Sequence, residues 1–309
     1  MDQTASPAER RRGHLAMLLF SALVAGSFAL GGLAAPAIDP SALNLVRFVI
    51  ATAAVGLVAR AQGHRLGWPE HRAAWRFLLL GALGATYFVT MFHALQITDP
   101  VATSAVFTLT PLMAAACGWI LMRQRTSIAM LVAMTLAATG ALWIIFRADL
   151  GALRAFAIGP GERIFAIGCL AYALQTALVR PLNRGEPVIL FSFYTLVAQT
   201  VVIGIWGWRP ILATDWLALP AIVWVTILYT ALAASAATFF LIQYSALRLP
   251  AGQVMAYTYL TPSFVLVWSG LLGQGWSDPV IWVGTALAAA GLGLLLVTGA
   301  RVRGAAAAR

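Results

Sequence analysis

The chain has 309 residues, of which 61% are hydrophobic and only 10% charged, with a formal net charge of +10. Soluble globular proteins carry about 25% charged residues, so this composition excludes a water-soluble enzyme or binding module. Nucleic-acid binding is excluded as well, because the charge arises from scarce acids and scattered arginines rather than from a basic patch.

In chain order, a polar tail (1–13) containing Arg10, Arg11 and Arg12 precedes a long apolar run with no small-residue cleavage site. It reads as a first membrane span rather than a cleaved signal peptide. A hydrocarbon core about 30 Å thick needs about 20 apolar residues per helix. Segments 14–34, 41–60, 74–96, 100–122, 127–146, 161–181, 187–207, 217–244, 250–273 and 279–299 meet that requirement. They predict an all-α integral membrane protein with ten transmembrane helices. The runs are continuously apolar rather than alternating, which excludes a barrel. With a cytoplasmic N-terminus, only Arg147, Arg154, Arg163 and Arg209 fall outside. The positive-inside rule therefore predicts both termini in the cytoplasm. Cys117 and Cys169 lie inside apolar runs, so no disulfide framework is expected.

The chain repeats itself. Leu109-Thr110-Pro111 in span 4 matches Leu260-Thr261-Pro262 in span 9, and from each proline it is 29 residues to Gly140 and to Gly291. His93-Ala94-Leu95 matches Ser245-Ala246-Leu247 at the ends of spans 3 and 8. Spans 1–5 thus correspond to spans 6–10. Five is odd, so the second unit enters the membrane from the opposite side, giving two inverted five-helix repeats, as in many secondary transporters. The predicted organisation is a tail (1–13), a first repeat (14–146), a periplasmic linker (147–160), a second repeat (161–299) and a C-terminal tail (300–309).

Pro40, Arg47 and Phe48 in span 2, together with the paired motifs above in their order and spacing, carry a family likeness. Over about residues 14–299 the chain resembles EamA-type members of the drug/metabolite transporter superfamily. The resemblance implies a multi-pass metabolite carrier of the bacterial cytoplasmic (inner) membrane, most often an exporter of amino acids or similar small molecules. The sequence departs from the family pattern in having Ala25-Gly26 where Trp-Gly is usual, and Gln124 and Gln274 where Glu is frequent.

Candidate substrate contacts follow from polar groups at membrane depth. Arg47 is costly there and is by default a functional candidate, unless it snorkels towards Asp39 or Asp99. His93 can titrate near neutrality; Thr86, Thr90 and His93 share a helical face, and Tyr87 adds a neighbouring polar ring. In span 9, Gln253, Tyr257, Thr261, Phe264 and Trp268 lie on one stripe, suited either to a cavity wall or to an aromatic packing face. Ser104 and Thr108 form a smaller version beside Pro111. Pro111 and Pro262 each remove a helix hydrogen bond and are candidate hinges or static bends. No Asp or Glu lies deep in a span, so a carboxylate proton relay has no evident residue; either His93 carries coupling or the protein is a facilitator. There is no P-loop motif and no metal-ligand spacing. No catalysis, cofactor, metal or nucleic-acid partner is expected. The expected partners are a small-molecule substrate and the lipid bilayer, with the chain a monomer or homodimer. The function expected is alternating-access secondary transport, most often amino-acid export; the alternative is uptake of a vitamin or nucleotide-like compound.

Overall fold

A computed structural model describes residues 6–67, 74–123, 128–149, 151, 158–246, 248, 249, 254 and 256–307. Every regular element among them is helical. The helices are α1 (Pro7–Ala34), α2 (Pro40–Ala61), α3 (Ala74–Ile97), α4 (Pro100–Phe107), α5 (Thr110–Met122) and α6 (Ile128–Ile145). After the central connection come α7 (Pro160–Leu182), α8 (Val188–Trp206), the short α9 (Trp208–Ala213), α10 (Ala221–Ala231), α11 (Thr238–Ala246), α12 (Thr261–Leu271) and α13 (Pro279–Ala307). A π-helical turn, Leu232–Ala237, joins α10 to α11, and a 3₁₀ turn, Tyr257–Leu260, leads into α12.

Among the described residues, seven helical stretches are long and apolar enough to cross a membrane, α4 with α5 and α10 with α11 each counting as one, and two shorter apolar stretches, Met130–Ile145 within α6 and Pro279–Leu294 within α13, accompany them. Large apolar side chains such as Leu57, Ile120, Ile167, Ile205 and Phe240 are exposed along them. That surface suits lipid rather than water.

The chain starts its helices by repeating one local device. Asp39 precedes Pro40 and accepts from the backbone N–H of Ser41 (2.7 Å), and Asp99 precedes Pro100 and accepts from that of Val101 (2.6 Å). A capping acid followed by proline at the first helical position fixes a helix start. At α1 the same purpose is served by Ser6 and Glu9, whose reciprocal hydrogen bonds (3.2 and 2.8 Å) form a capping box before and after Pro7.

The helices pack across the two halves of the chain. α3 lies along α7 and α8, α2 along α8 and α10, α1 along α10, α11 and α12, and α6 along α13. Phe28, Tyr87, Phe92, Phe107 and Phe165 are buried in the largest cluster, where α1, α3, α4 and α7 meet. Between helices close approach depends on glycine. A Cβ at Gly81 would stand 2.6 Å from the backbone nitrogen of Gln199, and one at Gly31 would stand 2.8 Å from Leu95 Cδ1.

A partly buried ion pair fixes the start of α3. Arg76 donates to Glu186 Oε1 (2.6 Å) and to the carbonyl of Leu182, tying α3 to the connection between α7 and α8. The Arg76 hydrogen bond holds the Glu186 carboxyl below the usual carboxylate range. A lowered folded-state value means that this stabilisation is present above the unfolded glutamate value of about 4.3 and is lost as pH falls through the folded one. Glu186→Gln is therefore expected to lower the melting temperature by several degrees at pH 7, with the gap to wild type closing as the pH is lowered towards 3. Equal melting temperatures at pH 7 would show the pair to be neutral.

Candidate functional site

The paired Leu-Thr-Pro motifs interrupt their helices. Span 4, expected as one helix, is two: α4 ends at Phe107, and α5 begins at Thr110. In span 9 a 3₁₀ turn ends at Leu260 and α12 begins at Thr261. Pro111 and Pro262 thus lie in the first turn of new helices, where a missing N–H costs little, rather than inside bent ones. Leu109 has φ −78° and ψ −13°, and Leu260 has φ −82° and ψ −8°. The two halves therefore share this break down to its backbone angles. Both proline-bearing helices lean on the opposite half: α5 packs on α7, and α12 on α1.

The span 9 stripe faces α1. Tyr257 is buried, its hydroxyl lies 2.8 Å from His14 Nδ1, and its carbonyl accepts from Ser21 Oγ at 2.6 Å. Trp268 Nε1 donates to the carbonyl of Ala22 at 3.0 Å, and its ring meets Tyr229 edge-on at 6.0 Å. Thr261 is fully buried, and its hydroxyl has no hydrogen-bond partner. Phe264 is partly buried against the main core. Gln253 lies outside the described residues. His14, the first residue of the predicted span 1 and not among the site residues picked from the sequence, belongs to α1; the only signal was its place at the start of the apolar run. Gln274, where family members frequently carry Glu, donates to the carbonyl of Ala29 at 2.8 Å. It too joins α1 to the loop after α12.

The α3 candidates divide. Tyr87 is buried and stacks on Tyr172 with ring centres 4.7 Å apart. Thr90 donates to the carbonyls of Thr86 (2.7 Å) and Tyr87 (3.0 Å), and its hydroxyl sits in the space that a side chain at Gly168 would fill. His93 is exposed, with Nδ1 3.3 Å from Gln96 Oε1. In α4 and at its C-cap, Ser104 and Thr108 are buried and spend their hydroxyls on α4 carbonyls, those of Val101 (2.8 Å) and Ser104 (3.2 Å).

Arg47 does not snorkel. Asp39 and Asp99 are engaged in capping, and the Arg47 side chain is buried, donating from Nη2 to Ser235 Oγ at 3.1 Å. Its guanidinium carbon lies 4.3 Å from the centre of the Phe88 ring and 5.0 Å from that of Phe48. Sequence reasoning found Arg47 but not Ser235 or the π-helical turn that presents it, because Leu-Ala-Ala-Ser-Ala-Ala carries no breaker.

Comparison with known proteins gives a concordant result. The model of the EamA-like transporter family matches residues 11–146 and again residues 160–297. No curated protein matches the chain. A solved structure, described only as the crystal structure of a protein, is similar over 96% of this chain and 99% of its own, with a TM-score of 0.69 and 18% identity. That likeness supports the fold alone. Two family matches in tandem, covering nearly the whole of an apolar helical chain, settle the matter: the protein is a member of the EamA-like transporter family within the drug/metabolite transporter superfamily.

Proposed function

We propose that the protein is a ten-span secondary carrier. Its two inverted five-helix halves, 14–146 and 161–299, expose a shared site to each side of the bacterial inner membrane in turn, with both termini cytoplasmic. The observation that carries this reading is the paired break at Leu-Thr-Pro, with matching backbone angles in both halves. Helices broken at membrane depth are tolerated where protein or a water-filled cavity satisfies the freed groups, and carriers built from repeats place their sites beside such breaks.

The packing supports it further. Exchanging spans 1–5 with spans 6–10 turns the α1 contact with α10 and α11 into the α3 contact with α7. It turns the α12–α1 contact into the α5–α7 contact, and it leaves α2–α8 and α6–α13 unchanged. That is the pattern of an approximate twofold axis between the halves.

The cargo that fits is a small amphipathic metabolite, with amino-acid export the leading case. The wall would be built from the aromatic stripe at Tyr257, Thr261, Phe264 and Trp268, with Gln253, Ser104, Thr108, Tyr87, Thr90, His93 and Arg47 contributing polar groups. Proteoliposome counterflow with labelled amino acids, riboflavin and nucleosides tests it. The expected result is saturable exchange of amino acids, competed by analogues. Exchange of riboflavin or nucleosides instead would favour uptake of a vitamin or nucleotide-like compound, and no exchange of any solute would remove the carrier reading.

A further inference from the structure

Arg47 is 1% exposed, yet no carboxylate of the described residues is paired with it. Nη2 reaches Ser235, while Nε and Nη1 have no hydrogen-bond partner. A buried, unneutralised cation is costly, and such groups at membrane depth mark ligand sites. One turn earlier on α2, Asn44 is fully buried. Its Nδ2 donates to the carbonyls of Pro40 (2.9 Å) and Phe88 (3.3 Å), and its Oδ1 accepts nothing. Residues three apart share a helix face, and both side chains lie against Phe88. The fold thus leaves unused N–H donors of a cation and an unused amide acceptor side by side, in a buried part of α2 that meets the second half of the chain through Ser235.

Ser235 belongs to the π-helical turn Leu232–Ala237 that interrupts span 8, and its hydroxyl also donates to the carbonyl of Thr230 at 2.8 Å. Single π-helical turns recur at functional sites. A hydroxyl is a weak partner for a guanidinium, whose planar donors match a carboxylate.

We propose that Asn44 and Arg47 receive the head group of an α-amino acid. The free guanidinium N–H groups bind its carboxylate, Asn44 Oδ1 accepts from its ammonium group, and the Ser235 hydroxyl is a placeholder that the carboxylate displaces. Displacement releases the π-helical turn from α2 and so links occupancy to the position of span 8. The assignment rests on the carrier reading above and narrows it to solutes carrying a carboxylate beside an N–H donor.

The test is binding, measured apart from transport. Purified full-length protein is titrated with L-leucine, L-phenylalanine and L-threonine, and with the amide and the decarboxylated amine of each, and thermal stabilisation gives the affinities. At least one acid is expected to bind, with its amide and amine at least about 10-fold weaker. Arg47→Gln is expected to weaken the acid by about 10- to 100-fold, the range for a charge-assisted hydrogen-bonded pair. Ser235→Ala should bind the same acid about 2- to 10-fold tighter, because a competing hydrogen bond has gone. A merely structural Arg47–Ser235 contact would leave affinity unchanged or weaker in Ser235→Ala, so that variant decides the matter even where Arg47→Gln fails to fold. Equal binding of acid and amine, unchanged affinity in both variants, or no binding of any acid overturns the assignment. Counterflow of another solute under those outcomes would leave the carrier reading standing.

Discussion

Gly140→Leu should yield no folded protein. Gly140 and Gly291 are the repeat-related glycines, and both lie where α6 crosses α13. A Cβ at Gly140 would collide with the Gly284 carbonyl oxygen and stand 2.9 Å from the Ala288 nitrogen; one at Gly291 would stand 2.8 Å from the Ala133 oxygen. These neighbours are backbone, so no side chain can swing aside. In a bilayer, helix association relies on close packing of small residues, since lipid is as apolar as the protein. Separating the two helices therefore loses their contact without a compensating burial. Gly140→Ala should already cost about 1–3 kcal/mol, the usual cost of overpacking, and Gly140→Leu more than the fold can absorb. Size-exclusion profiles and melting temperatures of detergent-purified protein check this. A monodisperse Gly140→Leu protein with wild-type melting temperature would mean that the crossing is looser than described.

The second large effect concerns motion. Pro111 cannot give an N–H to the carbonyl of Phe107, the last residue of α4, and Pro262 cannot give one to that of Thr258 in the 3₁₀ turn. If the paired breaks are the pivots of the carrier, Pro111→Ala with Pro262→Ala should favour continuous helices by about 1–3 kcal/mol, up to the full cost of proline in a helix interior. At 1.4 kcal/mol per factor of ten, turnover in counterflow should fall by about 10- to 100-fold. The double variant should also melt at or above the wild-type temperature, which separates a lost pivot from a lost fold. Unchanged turnover would make both breaks static.

Much of this was legible in the sequence, for identifiable reasons. The Leu-Thr-Pro pair, the 29-residue spacing to Gly140 and Gly291, and the acid–proline starts at Asp39 and Asp99 are local chemical signals whose consequences are local too. The match of φ and ψ at Leu109 and Leu260 follows from that shared context. The faces of the helices were not legible. In runs that are apolar all round, periodicity does not say which side is inside. Thr86, Thr90 and His93 read as one polar face, but the sequence does not say what that face meets: Thr90 packs towards Gly168, and Thr86 and His93 are exposed. The span 9 stripe was visible as a stripe, but its neighbour was not: the partners of Tyr257 and Trp268 are His14 and Ala22, more than 240 residues away in sequence. The π-helical turn at Ser235 escaped for a different reason. Its small residues permit either helix, and Thr230 and Arg47 hold the hydroxyl from outside the turn.

Alternation between the two sides is the central claim, and the contact of α1 with the start of span 9 offers a direct test of it. Tyr257 binds His14, Ser21 binds the Tyr257 carbonyl, and Ser245 binds the Gly13 carbonyl at 3.1 Å, all at the end of the molecule where the chain begins. A disulfide between Gly13→Cys and Leu249→Cys, where a Cβ at Gly13 would stand 3.1 Å from Leu249 Cγ, in a protein whose Cys117 and Cys169 are replaced by Ala, would hold that end shut. The expected result is loss of counterflow in the cross-linked proteoliposomes, recovery on reduction, and retention of amino-acid binding throughout. Full counterflow with complete cross-linking would contradict alternating access between the halves.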